Sequence, residues 1–308
     1  MKKPKVFIDG REGTTGLQIF DRLGNRSDIE LLLIDEDKRK DNKERKALLN
    51  KADLVFLCLP DVAAIESVSL IENNLTRVID TSTARRTSPD WAYGFPELSK
   101  EHFERIKHAR FVANPGCHAA GIIASVYPLI KLGIMPEDYL LSIFSLTGYS
   151  GGGKAMIKTY TEEKTPDMYA PRLYGLDLKH KHLPEIQYVT GLSNPPLFCP
   201  IVDDYYSGMA TTIMLHKSIL NGNPNASYIR QAFEEYYKER FREREHQIFV
   251  SSELGSGMLS SNWGAGEDSM RITVSGNDEQ IIVTAQFDNL GKGAAGAAVQ
   301  NMNIMLGI

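Results

Sequence analysis

The chain has 308 residues, of which 42% are hydrophobic and 24% are charged, proportions typical of a globular protein large enough for two domains. Its formal net charge of -4 argues against a nucleic-acid partner, and the absence of a long apolar run argues against a membrane partner. The first residues lack the apolar core of a signal peptide, and the three cysteines are too scattered for a disulfide framework or a zinc site. We therefore expect a cytoplasmic protein without a metal.

The first part of the chain alternates short apolar strands with helical segments. We predict strands at Lys5–Asp9, Ile29–Asp35, Asp53–Pro60 and Arg77–Thr81, and helices at Thr14–Leu23 and Val62–Glu72. The strands are almost continuously apolar, which is typical of strands buried on both faces. The pattern therefore predicts a Rossmann-like parallel sheet covered by helices.

A glycine-rich turn connects the first strand to the first helix. Three glycines spaced three residues apart let a backbone approach a phosphate closely, and the helix that follows supplies N–H donors. The spacing GxxGxxG is less common than GxGxxG, so the strand before it and the helix after it carry the inference. We predict dinucleotide binding by Gly10, Arg11, Gly13, Thr14, Thr15 and Gly16.

The residues after the second predicted strand bear on the choice of dinucleotide. Asp35 stands where a carboxylate would bind the ribose hydroxyls of NAD. Lys38, Arg39 and Lys40 follow it, and any of them, or Arg11, could hold the 2′-phosphate of NADP. A solvated run of charges is the other interpretation, so the residues alone leave the choice open.

A cysteine marks the corner between an extended segment and a helical one. Cys117 follows Asn114–Gly116, where backbone N–H groups and the helix dipole favour a thiolate. Cys58 and Cys199 lie in apolar segments and are expected to be structural. A reactive thiol after a dinucleotide-binding half indicates thioester chemistry, in which an acyl group on sulfur is reduced by a nicotinamide.

Two histidines are candidates for acid and base groups. His180 and His182 stand in the segment KHKHLPEI, where Pro184 predicts the first turn of a helix. A histidine near the thiol could donate or accept the proton that acyl reduction moves, although a solvated basic loop is the alternative. We expect one histidine to act on the thiol, with Glu185 as a carboxylate neighbour.

Beyond Cys117, alternating strands are separated by turns. We predict strands at Leu140–Leu146, Leu197–Val202, Met209–His216, Gln247–Ser251, Met270–Val274 and Ile281–Phe287. A long helix, Ala226–Arg244, lies among them, and Gly293–Leu306 closes the chain. The fold class is therefore α/β, with a Rossmann-like domain and an α+β domain whose sheet is mostly antiparallel. We assign residues 1–116 and the closing segment 289–308 to the dinucleotide-binding domain, and 117–288 to the catalytic, substrate and oligomerisation domain.

Together these motifs resemble the shorter form of N-acetyl-γ-glutamyl-phosphate reductase, an enzyme of arginine biosynthesis in the semialdehyde dehydrogenase superfamily. The resemblance lies in the glycine loop Gly10–Gly16, the NPGC box Asn114–Cys117, the segment His180–Ile186 and the closing run Asp288–Asn303. Aspartate-semialdehyde dehydrogenases share the closing run, whereas NPGC and HKHLPEI distinguish the two families. The stretches extend from one end of the chain to the other.

The resemblance implies an NADPH-dependent reduction of N-acetyl-γ-glutamyl phosphate to N-acetylglutamate 5-semialdehyde, with release of phosphate, through a thioester on Cys117. It also implies NADP as the cofactor, which favours Lys38, Arg39 and Arg11 as ligands of the 2′-phosphate, and a homodimer or homotetramer built through the second sheet. The alternatives are a related reductase of an aspartyl or amino-adipyl phosphate, a nucleotide-sensing protein without catalysis, and a cysteine hydrolase.

The resemblance further implies roles for individual residues. Cys117 would be the nucleophile, and His180 and His182 would supply the acid and base. The nicotinamide would lie beside Asn289 and Gly293. The substrate would be bound by Arg85, Arg86, Asn114, Ser150, Gly151 and Glu185.

The sequence departs from the longer members of the family at two places. They carry a bulky residue where this chain has His118, and an arginine where it has Ser207. If that arginine binds substrate in the longer form, Lys154, Arg172 or Lys181 would have to replace it here.

Overall fold

A computed structural model describes residues 3–239, 247–252 and 257–308. The chain forms two compact units. Unit 1 comprises Met1–Pro96, Lys100–Pro115 and Ala294–Ile308, and unit 2 comprises Glu97–Ser99 and Gly116–Gly293. Contacts thus place Gly116 and residues 289–293 in unit 2, whereas the sequence analysis assigned them to the dinucleotide-binding domain.

Unit 1 is built on a six-stranded sheet in which every pairing is parallel. The strand order is β2-β1-β3-β4-β6-β5. The strands are β1 (Lys5–Asp9), β2 (Glu30–Leu32), β3 (Leu54–Leu57), β4 (Arg77–Asp80), β5 (Ala92–Tyr93) and β6 (Phe111–Ala113). This arrangement confirms the predicted Rossmann-like sheet.

Helices cover both faces of this sheet. They are α1 (Thr14–Leu23), α2 (Asn42–Lys51), α3 (Asp61–Ser69), α4 (Lys100–His108) and, at the end of the chain, α9 (Gly296–Leu306). Side chains of α1, α4 and α9 share one buried cluster with Val6 and Ile8, whereas those of α2 and α3 share another with Phe7. Successive residues of β1 therefore face opposite layers, which explains why the strand is apolar throughout.

Unit 2 contains a seven-stranded mixed sheet of order β11-β12-β13-β10-β7-β9-β8. Four of the pairings between these described strands are antiparallel and two are parallel, so the predicted second sheet is confirmed. The strands are β7 (Ser142–Gly148), β8 (Arg172–Leu173), β9 (Leu197–Asp203), β10 (Met209–His216), β11 (Ile248–Ser251), β12 (Met270–Gly276) and β13 (Gln280–Phe287).

The helices of unit 2 are α5 (Cys117–Lys131), α6 (Gly153–Glu162), α7 (Leu183–Thr190) and α8 (Ala226–Glu239). Residues 118–129 of α5 are all buried, as expected for a helix with no polar face. Gly121 permits its close approach to the sheet, because a Cβ there would lie 2.7 Å from Phe287 and 2.9 Å from Thr211. Residues 240–244 of the predicted long helix lie outside the described residues.

In the described parts of the chain, no helix combines the length and apolar character needed to cross a membrane.

Candidate active site

The reactive-thiol candidate occupies the first position of a buried helix. Cys117 begins α5, and Gly116 before it is extended, with φ of −76° and ψ of 149°. The backbone at Gly293 passes directly against the cysteine, since a Cβ placed there would lie 3.0 Å from the Cβ of Cys117. A side chain at position 293 would therefore displace the thiol-bearing residue.

A buried carboxylate connects the start of α5 to α7. Oε1 of Glu185 accepts a hydrogen bond of 2.9 Å from the backbone N–H of Gly116. Glu185 lies in the first turn of α7, directly after the segment that carries His180 and His182. The hydrogen bond therefore brings both predicted histidines to the end of α5 that bears Cys117.

The two predicted histidines are in contact with each other. Their ring centroids lie 4.7 Å apart, and the backbone N–H of His182 approaches Nδ1 of His180 at 3.3 Å. In neutral His180 the proton is therefore assigned to Nε2. Burial lowers the pKa of His180 to about 4, and the charge of Lys181 acts in the same direction. His180 is thus neutral at physiological pH, with its acceptor nitrogen directed at the N–H of His182.

A third imidazole, which the sequence analysis noted only as a departure, completes the cluster. The ring of His118 lies 5.5 Å from that of His180 and 5.9 Å from that of His182. The pKa of His118 is lowered to about 3, chiefly by burial and in addition by the neighbouring His180 and Lys181. Despite the three rings, the described residues contain no group of three or more His, Cys, Asp or Glu placed to hold a metal ion.

Both nitrogens of His118 have hydroxyl partners that the sequence analysis missed. Nδ1 lies 2.8 Å from Oγ of Ser145, and Nε2 lies 2.6 Å from the hydroxyl of Tyr174. Oγ of Ser145 in turn lies 2.8 Å from Oγ1 of Thr211, its register partner on β10. The sequence signal that could have indicated these partners was the presence of a polar residue, Ser145 or Thr211, on the buried face of each of the strands β7 and β10.

Asn289 organises the loop that contains Ser150 and Gly151. Its amide nitrogen donates to Oγ of Ser150 at 2.9 Å, and its amide oxygen accepts from the N–H of Gly208 at 2.9 Å. A Cβ at Gly151 would lie 3.4 Å from the same amide nitrogen. These predicted substrate-binding and cofactor-binding residues therefore form one connected group within unit 2.

Three cations could replace the arginine that longer family members carry in place of Ser207, and these cations differ in their surroundings. Arg172 forms an ion pair of 3.2 Å with Asp167 and donates to the hydroxyl of Tyr160 at 2.9 Å. Lys154 and Lys181 are exposed. The two lysines therefore have more freedom than Arg172 to meet an anionic ligand.

A buried ion pair in unit 2 stands next to Gly293. Nζ of Lys292 lies 2.6 Å from Oε1 of Glu97, and the two side chains are only 2% and 1% exposed. Burial lowers the pKa of Lys292, although the charge of Glu97 opposes this shift. Removing one partner of such a pair would leave a buried charge uncompensated, which is strongly destabilising.

The glycine turn of unit 1 lines a cavity of about 520 Å³. Gly10 has a φ of +88°, which favours glycine, and a Cβ there would collide with the carbonyl oxygen of Cys58. A Cβ at Gly16 would lie 2.5 Å from the carbonyl oxygen of Gly10. Thr14 and Thr15 open α1 behind this turn. The backbone geometry fits a phosphate cradle at a helix N-terminus.

The predicted cations are distributed unequally around this cavity. Arg11, Arg39 and Lys40 line it, whereas Lys38 and Asp35 do not. Lys38 forms an ion pair of 3.2 Å with Asp35, and both side chains are exposed. The lining thus includes these three cations, and it also includes the carboxylates of Asp9, Glu12, Glu36 and Glu66.

An arginine missed by the sequence analysis lies at the same cavity. Nη2 of Arg45 lies 2.9 Å from Oδ2 of Asp9, which also accepts from Oγ of Ser67 at 2.8 Å. Arg45 thereby neutralises a buried carboxylate close to the proposed phosphate cradle. A single arginine on a charged helix gave no sequence signal that distinguished it from its solvated neighbours.

The remaining predicted substrate-binding residues are placed by contacts within unit 1. Arg86 is buried and donates to the carbonyl oxygen of Thr81 at 3.0 Å, while the Arg85 guanidinium lies 5.9 Å from the centre of the Trp91 ring. The amide nitrogen of Asn114 donates to the carbonyl oxygen of Ala294 at 3.0 Å. Asn114 thus connects the end of β6 to the closing segment of the chain.

Comparison with known proteins identifies the family. Residues 5–106 match the family described as semialdehyde dehydrogenase, NAD binding domain, and residues 117–289 match its dimerisation domain. N-acetyl-gamma-glutamyl-phosphate reductase 2 of Pseudomonas putida is 45% identical over 100% of this chain and 98% of its own length. The chain belongs to the N-acetyl-γ-glutamyl-phosphate reductase family. The Brucella ovis protein of that name is 46% identical over 99% of each chain.

Solved structures show that this reductase-family chain shares the semialdehyde dehydrogenase fold. Aspartate semialdehyde dehydrogenase II from Vibrio cholerae, complexed with ASA, matches with a TM-score of 0.73 and 15% identity over 99% of each chain. Aspartate semialdehyde dehydrogenase with NADP from Candida albicans matches with a TM-score of 0.69 and 14% identity, again over 99% of each chain.

The burial of His118 should make the fold sensitive to acid. Its pKa is about 3 in the folded protein against an ordinary value of 6.5, so the unfolded chain takes up a proton that the folded chain does not as the pH falls below 6.5. The stability contributed by the neutral ring is complete above that pH and is lost toward acid pH. Between pH 7.5 and 5.5, the loss should be about 1.4 kcal/mol.

Urea unfolding at these two pH values measures this loss. His118→Gln should remove the same amount from the pH dependence of the unfolding free energy. His216→Gln replaces an exposed histidine at the end of β10 and should leave that dependence unchanged. Equal pH dependence in the wild type and His118→Gln would show that His118 is not buried in its neutral form.

Proposed function

We propose that this chain reduces N-acetyl-γ-glutamyl phosphate with NADPH in arginine biosynthesis. The products are N-acetylglutamate 5-semialdehyde, phosphate and NADP⁺. The proposal rests on Cys117 at the start of α5, where the hydrogen bond from Gly116 to Glu185 holds the histidine segment beside it. The names of the full-length relatives support this substrate.

We assign dinucleotide binding to unit 1 and catalysis to unit 2. We place NADP in the cavity of unit 1, because the backbone excludes a side chain at Gly10 and Gly16 and because Arg39, Lys40 and Arg11 are among the residues that line the cavity. When bound, NADPH supplies the hydride that reduces the acyl carbon. The carboxylate Asp35, the candidate for binding a ribose hydroxyl, pairs with Lys38 instead.

The first half of the reaction uses the thiolate of Cys117. Sulfur attacks the acyl carbon, a carbon–sulfur bond forms, and the carbon–oxygen bond to the phosphate breaks. The N-terminus of α5 favours negative charge on both the thiolate and the tetrahedral oxyanion. A neutral histidine accepts the thiol proton and returns it to the departing phosphate. We assign this role to the histidine pair, His180 and His182, of which His180 is neutral at physiological pH.

The second half regenerates the thiolate. Reduction of the thioester gives a second tetrahedral oxyanion on the carbon attached to Cys117. A nearby histidine stabilises this oxyanion, and its collapse breaks the carbon–sulfur bond and releases the aldehyde. Glu185 keeps the histidine segment in place through Gly116 during both halves. Lys154 and Lys181 are the exposed cations that we propose for the anionic substrate.

Replacing the nucleophile tests this function directly. Cys117→Ser should retain the fold and dinucleotide binding but lose turnover by several orders of magnitude, because an un-ionised hydroxyl is a far weaker nucleophile. The assay follows NADPH formation from the semialdehyde, NADP⁺ and phosphate. Cys199→Ser, which changes the half-buried cysteine of β9, is the matched control and should remain active. Near-normal turnover in Cys117→Ser would end the acyl-enzyme proposal.

The cations of the cavity should select NADP over NAD. Arg39→Ala and Lys40→Ala should each weaken NADP binding by roughly 10-fold, or about 1.4 kcal/mol, with little change in NAD binding. Lys38→Ala is the control, because Lys38 pairs with Asp35 and does not line the cavity. Fluorescence titration of the apoprotein gives both dissociation constants. A wild type that prefers NAD would refute the assignment.

We also propose that the protein is a homodimer or homotetramer that assembles through the outer face of the unit 2 sheet. Met214 and Ile282 are register partners on this face and are 39% and 38% exposed. Trp263 and Phe249 add an exposed aromatic pair with ring centroids 5.7 Å apart. Exposed apolar side chains grouped on a sheet face are typical of subunit interfaces, and the matching family is described as a dimerisation domain.

A charge on this face should dissociate the assembly. Ile282→Asp would bury an unpaired carboxylate in the interface, so light scattering should report the monomer mass at concentrations where the wild type is oligomeric. Leu140→Asp is the control, because Leu140 is 80% exposed and lies outside the strands of the sheet. A monomeric wild type, or an Ile282→Asp variant of unchanged mass, would exclude this interface.

A further inference from the structure

A buried ion pair lies beside the glycine turn of unit 1. Nη2 of Arg45 is 2.9 Å from Oδ2 of Asp9, and the two side chains are only 9% and 5% exposed. Asp9 is the last residue of β1 and directly precedes Gly10, and all three residues line the same cavity. A buried carboxylate therefore stands next to the backbone that we propose for the pyrophosphate of the dinucleotide.

Asp9 differs from the other carboxylates of the cavity lining in its burial. It is 4% exposed, whereas Glu12, Glu36 and Glu66 are half-buried or exposed. Water and salt screen the charge of an exposed carboxylate, but they screen a buried charge much less. An uncompensated charge on Asp9 would therefore repel a pyrophosphate and oppose the attraction of the N–H groups and the helix dipole at the start of α1.

Hydrogen bonds hold Arg45 in a fixed place against this carboxylate. Its Nε donates to Oδ1 of Asp9 at 3.3 Å, and its Nη2 donates to Oδ2 at 2.9 Å. Nη2 also donates to Oγ of Ser67, and Nη1 donates to Oδ1 of Asn42 at 2.9 Å. These four hydrogen bonds use most of the N–H donors of a guanidinium. Arg45 is therefore a fixed positive charge with little capacity left to bind phosphate oxygens.

We propose that Arg45 is a positioning residue for dinucleotide binding, which acts by cancelling the charge of Asp9 beside the glycine turn. The ligand class is a nucleoside diphosphate group, whose negative charge then meets the N–H groups of the turn without opposition from the carboxylate. Arg45 does not bind the phosphates directly. The inference deepens the proposed function and rests on it for dinucleotide binding at the cavity of unit 1.

Three variants change the charge beside the turn in different ways. Asp9→Asn leaves the positive charge of Arg45 uncompensated, and Arg45→Met leaves the negative charge of Asp9 uncompensated. The double variant Asp9→Asn/Arg45→Met removes both charges and therefore keeps the net charge of the pair at zero. Electrostatic compensation thus predicts opposite effects for the two single variants, whereas damage to the packing of the turn would weaken binding in both.

Binding of ADP and adenosine, measured by NMR titration without divalent cations, tests this prediction. ADP carries the diphosphate group, whereas adenosine is uncharged. Asp9→Asn should tighten ADP binding by roughly threefold or more, and Arg45→Met should weaken it by roughly 10-fold or more, because a unit charge a few ångströms from a phosphate has at least this effect. Adenosine binding should be the same in both variants as in the wild type.

The double variant separates charge compensation from direct phosphate binding. With both charges removed, ADP should bind within about twofold of its wild-type affinity. A folded double variant that binds ADP roughly 10-fold more weakly than the wild type would show that Arg45 is itself a phosphate ligand, and would overturn the proposal. This comparison does not need Arg45→Met to fold, although the uncompensated buried carboxylate of that variant is strongly destabilising.

Lys46→Met is the matched control for the loss of a positive charge. Lys46 is the next residue on α2, forms an ion pair of 2.6 Å with Glu72 and does not line the cavity, so ADP binding should not change. An Asp9→Asn variant that binds ADP no more tightly than the wild type, or that changes adenosine binding by the same factor, would overturn the proposal. Absence of reductase turnover in a wild type that shows the expected ADP shifts on substitution would instead refute only the proposed function.

Discussion

The hydrogen bond from Gly116 N–H to Glu185 Oε1 is the interaction on which the catalytic geometry depends. It joins the N-terminus of α5 to the first turn of α7, so one buried carboxylate fixes the thiol-bearing residue relative to the histidine segment. Two distant motifs of the sequence, NPGC and HKHLPEI, thereby become one site. The backbone of Gly293 also approaches Cys117 closely, since a Cβ at position 293 would lie only 3.0 Å from the Cβ of the cysteine.

Several buried polar groups in the described parts of the chain are neutral or paired. His118 remains uncharged between two hydroxyl partners, and Lys292 is compensated by Glu97. In unit 1, Arg45 neutralises Asp9 close to the glycine turn. Burying charge without such partners costs several kcal/mol. These pairings therefore leave the negative charge of the reaction to be stabilised by the N-terminus of α5 and the histidines.

Sequence patterns predicted those features that depend on local chemistry. Continuous apolar runs between helical segments identified the parallel sheet, and the bounds of β1, α1 and β10 were correct to the residue. The helix α4 was missed because its residues are mostly charged, and α6 because glycines mask its start. The partners of His118 depend on strand register between β7 and β10, and the pairing of Arg45 with Asp9 depends on tertiary packing. Neither leaves a periodic signal in the sequence.

The measurement that tests the thioester mechanism most directly is the intact mass of the protein after mixing with N-acetyl-γ-glutamyl phosphate in the absence of NADPH. We predict a stoichiometric increase by one N-acetylglutamyl group on the wild type, released phosphate in equal amount, and removal of the added mass when NADPH is supplied. The group should map to Cys117 and be absent from Cys117→Ser. Turnover with NADPH but no covalent acyl group under any quenched condition, or a group attached to another residue, would contradict the mechanism.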